Sequence, residues 1–327
     1  MTGKYCWPGL GRARGRKLDS IAPLPVRVDS NGSLRSSPAL SLERHRVDAD
    51  VQGMLKIVAC GRGRVVQTAA AVSEVVRLAG KPAAELRVLY LGTAAFEDEE
   101  AFEVQTRGFV EAGCGSIEQL LLTRASHTPP EAERRRQLEW ADAIVVSGGN
   151  TLFAVERWRA LGVDALLREA AARGVVMAGG SAGAIVWFAG GHSDSMDPAT
   201  TLDADIAALD PAALAGWHYI RVDGLGLVAG ATLCPHHDST QSNGVLRSDD
   251  FDAMLLRRDC ADDVGICIED QAGLVIDGDD FRCISSGASQ LDAGSAARVF
   301  VKRVVAGAVV ATELTSGSVA AMLSQAR

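Results

Sequence analysis

The sequence predicts an α/β protein built on a mainly parallel sheet with helices over both faces. Three observations carry this. From Met54 onward, short apolar runs alternate with helical patterns, the order that wraps helices over a parallel sheet. The helical stretches carry start and stop signals, such as Asp164 ahead of Ala165-Leu166-Leu167 and Gly174 after Arg173. Two of the apolar runs end in glycine turns that open a helix, Ser147-Gly148-Gly149-Asn150-Thr151 and Gly179-Gly180-Ser181-Ala182-Gly183.

Strands are expected at 55–60, 87–92, 117–122, 143–146, 175–178, 226–228, 232–234, 264–268 and 273–276. Helices are expected at 67–79, 97–112, 131–140, 152–161, 163–173 and 181–189. Residues 1–53 lack apolar periodicity, hold Pro and Ser clusters, and carry nine Lys+Arg against five Asp+Glu. They are expected to be a disordered leader or the product of a mis-assigned start, with Met54 opening the folded chain. The catalytic domain is expected over 54–290, and 291–327 as an extension with a peripheral hairpin and a short helix.

Composition narrows the function. With 327 residues, 47% hydrophobic and 23% charged, the chain is neither disordered, collagenous nor a disulfide miniprotein. A net charge of -8 argues against a nucleic-acid partner. The apolar stretch Val175 to Gly191 is 17 residues and is broken by five glycines, too short for a membrane span. The seven cysteines are scattered without a C-x-x-C, which suggests neither zinc nor a disulfide framework and fits a reducing cytoplasm. No secretory signal is read at the N-terminus.

The Gly179–Gly183 segment matches G-x-S-x-G between an apolar strand and a helical stretch. A serine on such a turn is raised from the sheet edge, and the free N–H groups behind it can hold an oxyanion. In an open parallel sheet the carboxyl ends of adjacent strands face one crevice. Gly149 is therefore expected to offer a second N–H beside that of Ala182, while Asn150 suits a helix cap. The base is expected in Cys234-Pro235-His236-His237-Asp238, where either histidine serves. Two acids compete to orient it, Glu269 at the end of the 264–268 strand and Asp194 in Gly191-His192-Ser193-Asp194-Ser195.

Taken together, S-G-G-N-T, G-G-S-A-G-A-I-V-W-F, S-D-S, C-P-H-H-D and G-I-C-I-E-D resemble, in order and spacing, the peptidase E family of serine peptidases, which includes aspartyl dipeptidases and cyanophycinases. The resemblance spans roughly Met54 to Ser286. It implies a flavodoxin-like, three-layer sandwich similar to the class I glutamine amidotransferase domain, which carries Cys where this chain has Ser181. It further implies Ser181 as nucleophile, His236 as base, Glu269 as third member with Asp194 nearby, and Gly149 and Ala182 as the oxyanion hole. Asn150, Thr151 and Arg247 are the candidate substrate-binding residues, Arg247 as the cation for an acidic side chain. The implied substrate is a small peptide, foremost a dipeptide with N-terminal aspartate, cleaved without metal or other cofactor by a monomer or homodimer. The alternatives are a cyanophycinase-like β-aspartyl hydrolase and a silent peptide- or amino-acid-binding relative. Two departures stand out: Gly61-Arg62-Gly63-Arg64 replaces a run of glycines, and His237 replaces an aromatic residue.

Overall fold

A computed structural model describes residues 27–28, 34–35, 53–201, 215–257 and 264–324. The expected leader therefore lies outside the described residues, apart from an antiparallel pairing of Arg27–Val28 with Leu34–Arg35.

Fourteen further strands form two sheets rather than one. The larger contains β1 (Lys56–Cys60), β2 (Arg87–Leu91), β3 (Ser116–Gln119), β4 (Ala143–Val146), β5 (Val176–Gly180), β10 (Ala272–Asp277), β11 (Asp280–Ser285) and β14 (Ser316–Ser318). Its order is β14-β11-β10-β1-β5-β4-β2-β3. The run from β1 to β3 is parallel, whereas β10, β11 and β14 add an antiparallel edge. The smaller sheet contains β6 (Phe188–Ser193), β7 (Ile220–Asp223), β8 (Val228–Cys234), β9 (Val264–Ile268), β12 (Val299–Val305) and β13 (Ala308–Leu314), ordered β13-β12-β9-β8-β6-β7.

Alternation along the parallel strands divides the core. Val58, Cys60, Val88, Tyr90, Val145 and Ala178 face α1 (Ala69–Ala79) and Phe109 of α2 (Glu99–Glu111). Ile57, Ala59, Leu89, Leu91, Ile144 and Met177 face the opposite layer, where α3 (Glu131–Trp140), α4 (Thr151–Leu161) and α5 (Val163–Ala172) supply Leu138, Trp158 and Leu167. The smaller sheet packs into that same layer through Leu233, Ile266 and Val299. The architecture is thus an α/β sandwich whose central strands are buried on both faces, which is why they read as unbroken apolar runs.

The strands expected at 226–228 and 232–234 are one continuous strand, β8, and two further expectations differ. The helix expected at 181–189 is a single turn, α6 (Ala182–Ile185), after which the chain extends into β6. Residues 184–188 are apolar on every side and buried, so periodicity cannot separate a buried helix from a buried strand there. The tail forms the expected hairpin, β12 with β13, and the short helix, but it is not peripheral: β12 pairs antiparallel with β9, and Val319 and Met322 of α7 (Val319–Leu323) join the main core. A chain ending at residue 291 would strip β12 from β9 and leave backbone groups of a buried strand unpaired. It is expected to lose cooperative urea unfolding; a truncated chain with the full-length midpoint would refute this role for the tail.

Candidate active site

The site forms where the carboxyl ends of two parallel strand pairs meet. In the larger sheet β1 and β5 run side by side with Cys60 opposite Gly180. In the smaller sheet β8 and β9 do so with Cys234 opposite Cys267. The main chain ties the two together through the His236 N–H, which donates to the Gly61 carbonyl at 3.2 Å, while within the larger sheet the Ser181 N–H donates to the Cys60 carbonyl at 3.1 Å.

Ser181 follows β5 directly, with φ 57° and ψ -121°, a conformation few side chains adopt. The turn closes because its neighbours are small. A Cβ on Gly180 would stand 2.2 Å from the Arg62 carbonyl oxygen, so no other residue fits before the serine. His236 Nε2 lies 2.9 Å from Ser181 Oγ. His236 also holds a left-handed backbone, φ 51°.

The other ring nitrogen, Nδ1, hydrogen-bonds Asp270 Oδ1. With Nδ1–H donating there, Nε2 is left to accept the Ser181 hydroxyl proton. Asp270 is fixed in turn by Asp238, whose Oδ1 accepts the Asp270 N–H at 2.7 Å and whose Oδ2 accepts that of Gln290. Burial pushes the Asp270 carboxyl up, but the hydrogen bond and charge of His236, helped by Arg62, hold it below the usual aspartate value.

The acid on the ring is therefore Asp270 and not Glu269. Consecutive side chains at a strand end point to opposite sides. Glu269 turns into the interior, where its oxygens accept from Ser289 Oγ at 3.0 Å and Arg298 N–H at 2.7 Å. Asp194 is engaged elsewhere too, with Arg247 Nη1 at 3.1 Å. Burial raises the Asp194 carboxyl, while Arg247 first and His236 second bring it below its ordinary value.

His237 points away from Ser181 and packs on Phe300 at 5.6 Å between ring centroids, with neither ring nitrogen partnered among the described residues. Burial, reinforced by Lys302, pushes its pKa down to about 3. Of the two histidines, only His236 meets the serine.

Gly149 takes φ 128°, and a Cβ there would strike the Ala94 carbonyl oxygen at 2.1 Å. Its loop lies against the serine: the Cβ position of Gly148 is 3.4 Å from Ser181 Cβ. Among the described residues, the N–H groups of Gly149 and Ala182 have no acceptor. Because α6 is one turn long, these are individual donors rather than the end of a helix dipole.

The expected substrate-binding residues are all occupied. Asn150 Oδ1 caps α4 by accepting the Phe153 N–H, and Nδ2 donates to the carbonyls of Ser195 and Thr200. Thr151 is fully buried, and its Oγ1 accepts from Ser193 Oγ. Arg247 has no exposed surface; Nη1 donates to Asp194 and Nη2 to the His192 carbonyl, Nε has no partner among the described residues, and the guanidinium lies over the Tyr219 ring. These three side chains bind the protein to itself. No group of three His, Cys, Asp or Glu among the described residues is arranged to hold a metal ion.

A serine on a strand-to-helix elbow, in line with an imidazole and a buried carboxylate at the end of a parallel sheet, is the arrangement that α/β serine hydrolases use. Residues 58–284 match the model of peptidase family S51, and the chain belongs to that family, as the peptidase E motifs imply. It is 32% identical over 152 residues to the uncharacterized peptidase YgaJ of Bacillus subtilis (strain 168), covering 46% of this chain and 55% of that one. It is 28% identical over 215 residues to a Trypanosoma brucei brucei protein named G2/mitotic-specific cyclin-1, covering 60% of this chain and 62% of that one. The chain thus spans between half and two thirds of these curated relatives. A solved peptidase from an acI-B1 actinobacterium shares the fold, with a TM-score of 0.54 at 18% identity over 82% of this chain and 98% of that one.

The geometry separates the neighbouring acids experimentally. Asp270→Asn is expected to lower kcat by about 10²–10⁴-fold with little change in stability. Glu269→Gln is expected to cost about 1–3 kcal/mol of stability through its buried partners. Steady-state kinetics and urea unfolding of both variants decide, and the reverse pattern would return Glu269 to the ring.

Two buried imidazoles also predict a pH response. Burial pushes His192 down to about 4 against the opposing pull of Asp250, and His237 lies lower still. The unfolded chain takes up protons that these folded-state rings refuse. Stability is therefore complete above the ordinary histidine value and falls as pH drops through about 6 toward 4, by roughly 1.4 kcal/mol per unit for each ring. Urea midpoints at pH 7 and 4.5 should show this loss, and His237→Phe should reduce it. An equal loss in the variant would remove His237 from the account.

Proposed function

We propose that this protein is an active serine peptidase that hydrolyses small peptides, foremost dipeptides with N-terminal aspartate. The observation that carries the reading is the 2.9 Å approach of His236 Nε2 to Ser181 Oγ on a strained elbow. Ser181 attacks the scissile carbonyl carbon while His236 takes its proton. Asp270 holds the ring and stabilises the imidazolium. The N–H groups of Gly149 and Ala182 receive the oxyanion. His236 then gives its proton to the leaving amine, and water, activated by the same ring, releases the acyl group from Ser181.

The preference for aspartate is supported by the family resemblance, and the small-peptide class by the same motifs. We further propose that the protein works in the cytoplasm. In favour are five described cysteines that are free thiols, three of them buried, and the lack of any described helix long and apolar enough to cross a membrane.

The test is amino-acid release from Asp-Leu, Glu-Leu, Ala-Leu and β-Asp-Arg by wild type and Ser181→Ala. Hydrolysis of Asp-Leu that falls by about 10³-fold or more in the variant is expected. Undiminished turnover by Ser181→Ala would overturn the nucleophile, and a preference for β-Asp-Arg would move the substrate to the isopeptide class.

A further inference from the structure

An acidic substrate needs a cation whose donors it can reach, and Arg247 is completely buried. Another arginine is not. Arg62 leaves the end of β1 beside both halves of the site. Its carbonyl oxygen abuts Gly180, the residue before the nucleophile. The preceding carbonyl, that of Gly61, accepts the His236 N–H. The Arg62 main chain is thus pinned between the turn carrying the serine and the loop carrying the imidazole.

The side chain continues this placement. Arg62 Nη1 donates to Asp270 Oδ2 at 3.0 Å, on the oxygen that His236 does not use. The carboxylate is 3% exposed, whereas the arginine side chain is 51% exposed. Among the described residues, its Nε–H and Nη2 groups have no acceptor. A guanidinium presents separate edges, and the Nε/Nη2 edge can take a carboxylate through two parallel hydrogen bonds while Nη1 stays occupied. A half-exposed fork anchored at one corner loses little freedom when the other edge binds, which favours recognition over a freely moving cation.

We propose that Arg62 is a specificity-determining residue that binds a carboxylate of the peptide through its Nε/Nη2 edge while Nη1 remains on Asp270. The inference rests on the peptidase reading above and names the residue that selects an anionic substrate. The carboxylate comes either from the acidic side chain or from the peptide C-terminus. The same guanidinium then touches both the substrate and the acid behind the base, so selection and catalysis meet on one side chain.

The experiment compares Asp-Leu, Asn-Leu and Asp-Leu amide with wild type, Arg62→Gln, Arg62→Lys and Arg64→Gln. Because Arg62→Gln also removes a contact to Asp270, its effect on all peptides alike is set aside, and the ratio of charged to neutral peptide is the readout. In Arg62→Gln one of the two preferences, Asp-Leu over Asn-Leu or Asp-Leu over its amide, is expected to shrink by about 10- to 100-fold, chiefly through KM. The ratio that collapses identifies the carboxylate. Arg62→Lys keeps the charge without the edge and should recover only part of the preference. Arg64, exposed two residues further on, should leave both ratios unchanged. Calorimetric binding of the three peptides to Ser181→Ala, with and without Arg62→Gln, reads the same selection without turnover. A wild type that cleaves none of the peptides therefore counts against the peptidase reading alone. Ratios that survive in Arg62→Gln, or that fall equally in Arg64→Gln, would overturn the inference.

Discussion

The site depends on the register between two parallel strand pairs. Cys60 stands opposite Gly180 in one sheet and Cys234 opposite Cys267 in the other. Each pair releases its chains at the same level, so Gly61 and Ser181 emerge together, as do the segments leading to His236 and Asp270. A slip of one residue in either pair would invert every side chain beyond it and replace Asp270 or Ser181 with its neighbour. The hydrogen bond from His236 N–H to Gly61 carries the alignment across the boundary between the sheets. Buried apolar strands hold this register, which is why the catalytic geometry can rest on loops of two or three residues.

Much of this was legible beforehand. Apolar runs and glycine turns marked β1, β4, β5, β8 and β9, and with them the strand ends that face the site. What the sequence left undecided was the direction of side chains just past a strand. Glu269 and Asp270 are adjacent acids, and only the tertiary structure says which faces the imidazole. The deciding partners of Glu269, Ser289 and Arg298, lie in or beside a segment that reads as an appendage until β12 is seen to pair with β9. The same uncertainty attached to His236 and His237 and was resolved by the apolar packing of the second ring.

Polar residues close to Ser181 have partners within the protein. Asn150 and Thr151 were expected to bind substrate, and in the structure they are tied to Ser195 and Ser193. The two serines join the network, with Ser193 Oγ 2.8 Å from Ser195 Oγ and the Leu152 N–H donating to Ser195 Oγ. A closed network of this kind is stiff, because each buried group would be left unsatisfied if its partner moved. It fixes the loop after β4 against the loop after β6, and so steadies the Gly148-Gly149 turn that lies against Ser181. Arg247 does comparable work for the loop carrying Asp194.

The backbone of Ser181 has an evolutionary consequence. A φ of 57° is tolerable for a residue whose Cβ bears one small group and is much harder for a β-branched one. Exchange between hydroxyl and thiol at this position keeps a single heavy atom on Cβ, so a cysteine would fit there without rebuilding the turn. Threonine supplies the same hydroxyl but adds a methyl that the elbow cannot seat. The chemistry open to descendants of this fold is therefore bounded by the shape of one turn as much as by the reactivity of the atoms it presents.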